Sequence, residues 1–196
     1  MKCVSPALAL LAALAFHAPT AGATPITFVG NLTGANEVPP VSSSGTGLAT
    51  IILDPTAQTI QINATFSGLT SNDTAAHIHC CGPLGTNVGV ATTVPAFPGF
   101  PLGVTSGTYS QSFDLTQAAI YNPAFVTMEG GLPQAEAALI AGIENGQTYF
   151  NIHTINNPGG EIRSQLFPVP EPASLILLGS ALLGFGLVRR KGVGGS

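Results

Sequence analysis

The chain has 196 residues, of which only 7% are charged, and a formal net charge of −4. That length fits one domain. Its bases sit at the ends (Lys2, Arg189, Arg190, Lys191). The body holds Arg163 alone against Glu37, Asp54, Asp73, Asp114, Glu129, Glu136, Glu144 and Glu161, a balance of about −7. A field of that sign repels phosphate backbones, so nucleic acid is excluded as a partner and a metal or other cation is favoured.

Residues 1–23 read as a signal peptide. Lys2 precedes an apolar run from Val4 to Phe16, and Ala21-Gly22-Ala23 supplies the small residues of a cleavage site. The run is too short for a stable membrane span. Export makes the destination disulfide-permissive, and cleavage removes Cys3.

Residues 24–168 form the body. Thr24 to Gly34 alternates as a strand, with Ile26, Phe28 and Leu32 on one parity. Two prolines break the following Asn36-Glu37-Val38-Pro39-Pro40-Val41. Gly47–Leu53 and Thr59–Leu69 read as strands joined by the turn Asp54-Pro55-Thr56-Ala57. The next strand, Thr74–Cys80, contains His77-Ile78-His79, so both imidazoles share one face and Ile78 takes the other. Val88–Val94 is a further candidate strand, and Pro95–Gly103 is a loop carrying Phe97 and Phe100. Gly107–Leu115 alternates again, and Thr116–Tyr121 starts a short turn of helix. Pro133–Glu144 is the best helix, with proline in its first turn and a stop at Asn145-Gly146. Gln147–Thr154 is the second histidine strand, with Asn151 and His153 on one face, and Gly160–Phe167 closes the body. Short strands with glycine and proline turns predict an all-β Greek-key sandwich or barrel with one short helix.

Residues 169–196 form a tail. Pro170-Glu171-Pro172 is followed by sixteen uncharged residues, Ala173 to Val188, and then by Arg189-Arg190-Lys191. As a transmembrane helix these sixteen rise about 24 Å against a hydrocarbon core of about 30 Å, with the basic cluster inside. Triplet, apolar helix and terminal arginines, in that order, resemble the PEP-CTERM sorting signal of Gram-negative bacteria. The resemblance implies cleavage by an exosortase-type membrane protease. It also implies delivery to the cell surface, the outer membrane or an exopolysaccharide matrix, so the membrane helix serves at least transiently.

Three stretches of the body belong together: Leu32-Thr33-Gly34-Ala35-Asn36-Glu37-Val38-Pro39-Pro40-Val41, Ala76-His77-Ile78-His79, and Asn151-Ile152-His153-Thr154 with Pro158-Gly159-Gly160-Glu161-Ile162-Arg163. They resemble the CHRD (chordin-type) domain over about Ile26 to Phe167. The chain departs from that pattern at Ser164, usually glycine, and at Cys80-Cys81, usually small. The resemblance implies a β-sandwich and no established enzymatic activity in bacteria.

With Ile78, Ile152 and Ile162 turned to the core, His77, His79, Asn151, His153, Glu161, Arg163 and Gln165 are expected on one outer face. Two readings stay open. One is a hydrogen-bonded polar network that includes Asn151, Glu161 and Arg163. The other is a copper or zinc site on His77, His79 and His153, since three imidazoles suit either metal. The pattern is similar to the external His-x-His copper site of copper/zinc superoxide dismutase, although no fourth copper ligand or zinc loop can be placed. Cys80 and Cys81 are expected as a vicinal disulfide, with intermolecular pairing, free thiols or a thiolate ligand beside His79 as alternatives. No nucleophile-elbow, paired-carboxylate or phosphate-loop signature occurs. The expected function is therefore a non-enzymatic surface module for extracellular protein or polysaccharide, the alternative being a metal-dependent redox protein.

Overall fold

A computed structural model describes residues 24–170. The signal peptide, the expected transmembrane helix, and Glu171, Pro172, Arg189 and Arg190 lie outside the described residues. Among those described, no helix is long and apolar enough to cross a membrane.

The strands are β1 (Ile26–Thr33), β2 (Thr46–Asp54), β3 (Thr59–Ser67), β4 (Asp73–His79), β5 (Gly107–Asp114), β6 (Tyr149–Thr154), β7 (Ile162–Gln165) and β8 (Phe167–Pro168). Of the expected sandwich or barrel, the mostly-β character and the curl of a barrel are present: one antiparallel sheet is curled into a half-barrel, in the order β4-β6-β7-β1-β2-β3-β5, with β8 also on β1. Pairing explains the single sheet. β1, β2 and β3 follow one another in continuous register, from Ile26↔Leu53 and Leu53↔Ile60 onward. The histidine strands join that meander through β7, at Thr33↔Arg163, so the described strands all fall in one sheet.

Alternation places Phe28, Leu32, Ile51, Ile62, Ile78, Phe150, Ile152 and Ile162 in a single core. Phe97 enters that core from the 95–103 loop and stacks on Phe150 at 5.8 Å. Ser164 is accommodated by glycine opposite: a Cβ on Gly30 would lie 2.8 Å from the Ser164 Cβ.

Among the described residues two α-helices occur, where one short helix was expected in the body. α1 (Pro123–Glu129) begins at Asn122, whose side chain accepts from the Ala124 N–H at 3.0 Å, with Pro123 at the first turn. That cap-and-proline pair was its only sequence signal, because seven residues carry little periodicity. α2 (Leu132–Glu144) adds Leu139 and Ile143 to the core. The expected helix at 116–121 is a 3-10 turn over Ala118–Ile120. Residues 88–94 run beside β4 through isolated bridges such as His79↔Val90 rather than as a strand. The expected final strand divides into β7 and β8 at Leu166, which is fully buried and donates its N–H to the Thr148 carbonyl at 3.3 Å.

Candidate functional site

β4, β6 and β7 are neighbours, and their registers set Asn151 opposite both His77 and Arg163, and Tyr149 opposite both His79 and Gln165. Period-two alternation then carries His77, His79, Tyr149, Asn151, His153, Arg163 and Gln165 to the face away from the core. This face is not open to solvent. His77, His79 and Arg163 are 5%, 7% and 2% exposed. Two loops cover it. Arg163 donates to the Asn87 Oδ1 at 2.7 Å and to the Thr86 carbonyl at 2.8 Å, and the Asn87 amide donates to the Val38 carbonyl at 2.7 Å. Arg163 also stacks 3.5 Å above the Tyr149 ring, which stacks in turn on His79 at 4.5 Å.

One ring nitrogen from each of His77, His79 and His153 lies within 4.8 Å of the other two. Hydrogen bonds assign the tautomers. His79 Nδ1 is 2.7 Å from the Val88 carbonyl and His153 Nδ1 is 2.9 Å from the Pro158 carbonyl. A carbonyl only accepts, so both Nδ1 atoms carry the proton and both Nε2 atoms carry lone pairs. His77 Nδ1 sits 3.2 Å from His153 Nε2. If His77 donates there, its own Nε2 is left as a buried lone pair without a partner. If instead Nε2 is protonated, its proton turns to the Pro95 carbonyl. The His77 Nδ1 and His153 Nε2 lone pairs then face each other, and a cation between them would meet both.

The rings are neutral. Burial, and then the neighbouring imidazoles, hold His77 down at about 4. Burial takes His79 to about 4 against the opposing Val88 hydrogen bond. Burial also lowers His153, against the Pro158 carbonyl. Neutral imidazoles with the far nitrogen tied to a carbonyl have the form of oriented metal ligands.

Glu37 is the residue that sequence reasoning left out of the site. It follows the 3-10 turn at Gly34–Asn36, is 5% exposed and reaches Asn151. Burial raises its carboxyl to about 7, opposed by the Arg163 charge and the Asn151 amide. Its signal was its place in the Asn36-Glu37-Val38-Pro39-Pro40 run, an acid held in an otherwise uncharged loop. Glu37 Oε1, His77 Nε2, His79 Nε2 and Asn151 Oδ1 are four of the six buried polar atoms without a partner among the described residues. Each such atom costs about 1–3 kcal/mol unless something meets it.

Two expectations are corrected. Glu161 does not join the histidine face: its carboxylate accepts from Ser43 Oγ at 2.6 Å, Thr70 N at 2.7 Å and Thr154 Oγ1 at 2.6 Å. Burial alone would raise it, but these donors leave it lowered. It precedes β7 and so escapes the strand's alternation. Nor is the outer face a wet one, because the 37–41 and 82–90 loops fold over it. Cys80 and Cys81 are joined through their sulfurs. Cys80 lies on the core side of β4, and the Cys81 sulfur is 3.4 Å from the Ala138 carbonyl of α2, so neither sulfur faces the imidazoles. Pro170, the first residue of the triplet, directly follows Val169, whose N–H is held by the Thr27 carbonyl at 2.8 Å.

Fold and site define a β-rich domain with a sheltered imidazole cluster, ending one residue before an export triplet. The CHRD domain model matches residues 28–166, and the chain belongs to that family. The PEP-CTERM protein-sorting motif matches residues 168–191. The motif is a sorting signal and marks an exported, surface-associated protein. No curated protein and no solved structure matches the chain.

Proposed function

We propose that the protein is a non-enzymatic binding module of the cell surface, and that it binds one copper or zinc ion through His77, His79 and His153. One observation carries this reading: His77 Nδ1 and His153 Nε2 approach to 3.2 Å while the Nδ1 atoms of His79 and His153 are committed to carbonyls. The donor set suits either metal, and the closed loops suit retention more than turnover. Metal analysis of periplasmically produced protein tests it. The expected result is one copper or zinc per wild-type chain and none in His77→Ala/His79→Ala. Wild-type protein without stoichiometric metal removes the proposal.

A second observation favours a purely structural reading. Arg163, Asn87 and Val38 already lace both loops to the sheet. On that reading the face holds the module together and recognition of protein or polysaccharide occurs elsewhere.

Exosortase processing is proposed near Pro170-Glu171-Pro172. Intact mass of surface-released protein should lack the residues after this triplet, and a retained tail contradicts it.

A further inference from the structure

Copper(II) and zinc take at least four ligands, and the cluster supplies three nitrogens. Once those are spent on a metal, two buried oxygens beside the cluster still lack a well-formed hydrogen bond: Glu37 Oε1, next to the Asn151 amide, and Asn151 Oδ1, next to His79. Asn151 Oδ1 only accepts, and so does Glu37 once it is a carboxylate, above about pH 7. They therefore call for a donor, and a water molecule bound to a metal has two O–H groups to give.

Their placement suits that role. Asn151 lies directly across the β4–β6 pair from His77, and two residues before His153 on the same face. Its outward neighbour is Glu37. A Cβ built on Gly160 would lie 2.5 Å from Glu37 Oε1 and 2.7 Å from Asn151 Nδ2, so both side chains occupy the space above that glycine. On the solvent side of Glu37 is a hollow of about 280 Å³ lined by Glu37, Val41, Asn157, Pro158 and Gly160. The turn that forms its wall also provides the Pro158 carbonyl that fixes His153. The hollow thus reaches the cluster through Glu37 and its neighbour Asn151 on one side and through Pro158 on the other.

We infer that Glu37 and Asn151 line an exchangeable fourth coordination position on the metal, occupied by water and open to replacement by a small monodentate anion entering through this hollow. The inference rests on the metal reading above. Glu37 and Asn151 are positioning residues: they hold the ligand and do not bind the metal. Exchange is a simple substitution in which water leaves as the anion binds, with no change of oxidation state. Glu37 as a carboxylate repels the incoming anion and so sets its affinity.

The test is azide titration of copper(II)-loaded protein, read by the azide-to-copper charge-transfer band and by electron paramagnetic resonance. Wild type should bind one azide per copper. Glu37→Gln removes a negative charge and offers an N–H donor, and should tighten azide at least about fivefold. Asn151→Asp adds a negative charge at the same place and should weaken it at least about fivefold. Both variants should keep one copper per chain, which also reports that they fold. A copper spectrum indifferent to azide overturns the inference and leaves the metal site standing. Azide binding that is equal in wild type and both variants overturns the assignment to Glu37 and Asn151. Failure of wild type to bind copper or zinc removes both this inference and the reading beneath it.

Discussion

Gly160 is the residue where the site and the backbone constrain each other. Its φ of +126° is one that side chains rarely adopt, and its missing Cβ is the space that Glu37 and Asn151 fill. Gly160→Ala should therefore lose about 2–4 kcal/mol in chemical denaturation and bind metal more weakly. The titratable groups of the face predict a pH profile for metal-free protein. His77 and His79 titrate near 4 when folded, against about 6.5 unfolded. The unfolded chain thus holds more protons across that window, and stability rises with pH. Glu37 works the other way. It keeps its proton to about 7 when folded and loses it near 4.5 when unfolded, so its contribution falls as pH rises. Three lowered imidazoles against one raised carboxyl leave a net gain in melting temperature from about pH 4 to 6.5. His77→Ala/His79→Ala should flatten that slope; an unchanged slope would place the titrating groups elsewhere.

At the scale of elements, contacts between secondary structures decide outcomes that local propensity would misjudge. Gly142 lies inside α2, where alanine is ordinarily worth about 1 kcal/mol more than glycine. Its Cβ would meet Cys80 Sγ, and Cys81 Sγ at 2.9 Å. These sulfurs are held by their own bond and cannot retreat as a flexible side chain would. Gly142→Ala should therefore lower the melting temperature in spite of its helix propensity, as a thermal melt would show. Arg163 on β7 ties the 82–90 loop to the sheet, and Asn87 of that loop in turn holds Val38 of the other. Lysine in its place keeps the charge but loses the paired donors to Asn87 and Thr86 and the flat stack on Tyr149. Arg163→Lys should cost about 2–3 kcal/mol and speed hydrogen exchange of residues 82–90 before that of β1–β3.

Residues 24–170, those described, form one curled sheet around one core, with a hydrogen bond from Val169 just before the sorting triplet begins at Pro170. Produced alone, they should unfold in a single cooperative transition; two transitions would mean that the half-barrel and its helices are separate units. Much of this molecule was legible in the chain itself. Strand alternation put His77, His79, Asn151, His153 and Arg163 on one face, because side-chain direction in a strand depends only on residue parity. Helix α2 and the sorting tail were also legible, since their signals lie within a few consecutive residues. Other features depended on contacts between residues far apart in sequence. β7 docked on β1 and so decided between the sandwich and the barrel, giving one curled sheet. Loops 37–41 and 82–90 closed over the imidazoles and turned a surface into an interior. Glu161 left the face for Ser43 and Thr70, while Glu37 entered it. No local period encodes where a loop lands: that follows from which distant partners satisfy its polar groups, and only the folded chain brings them together.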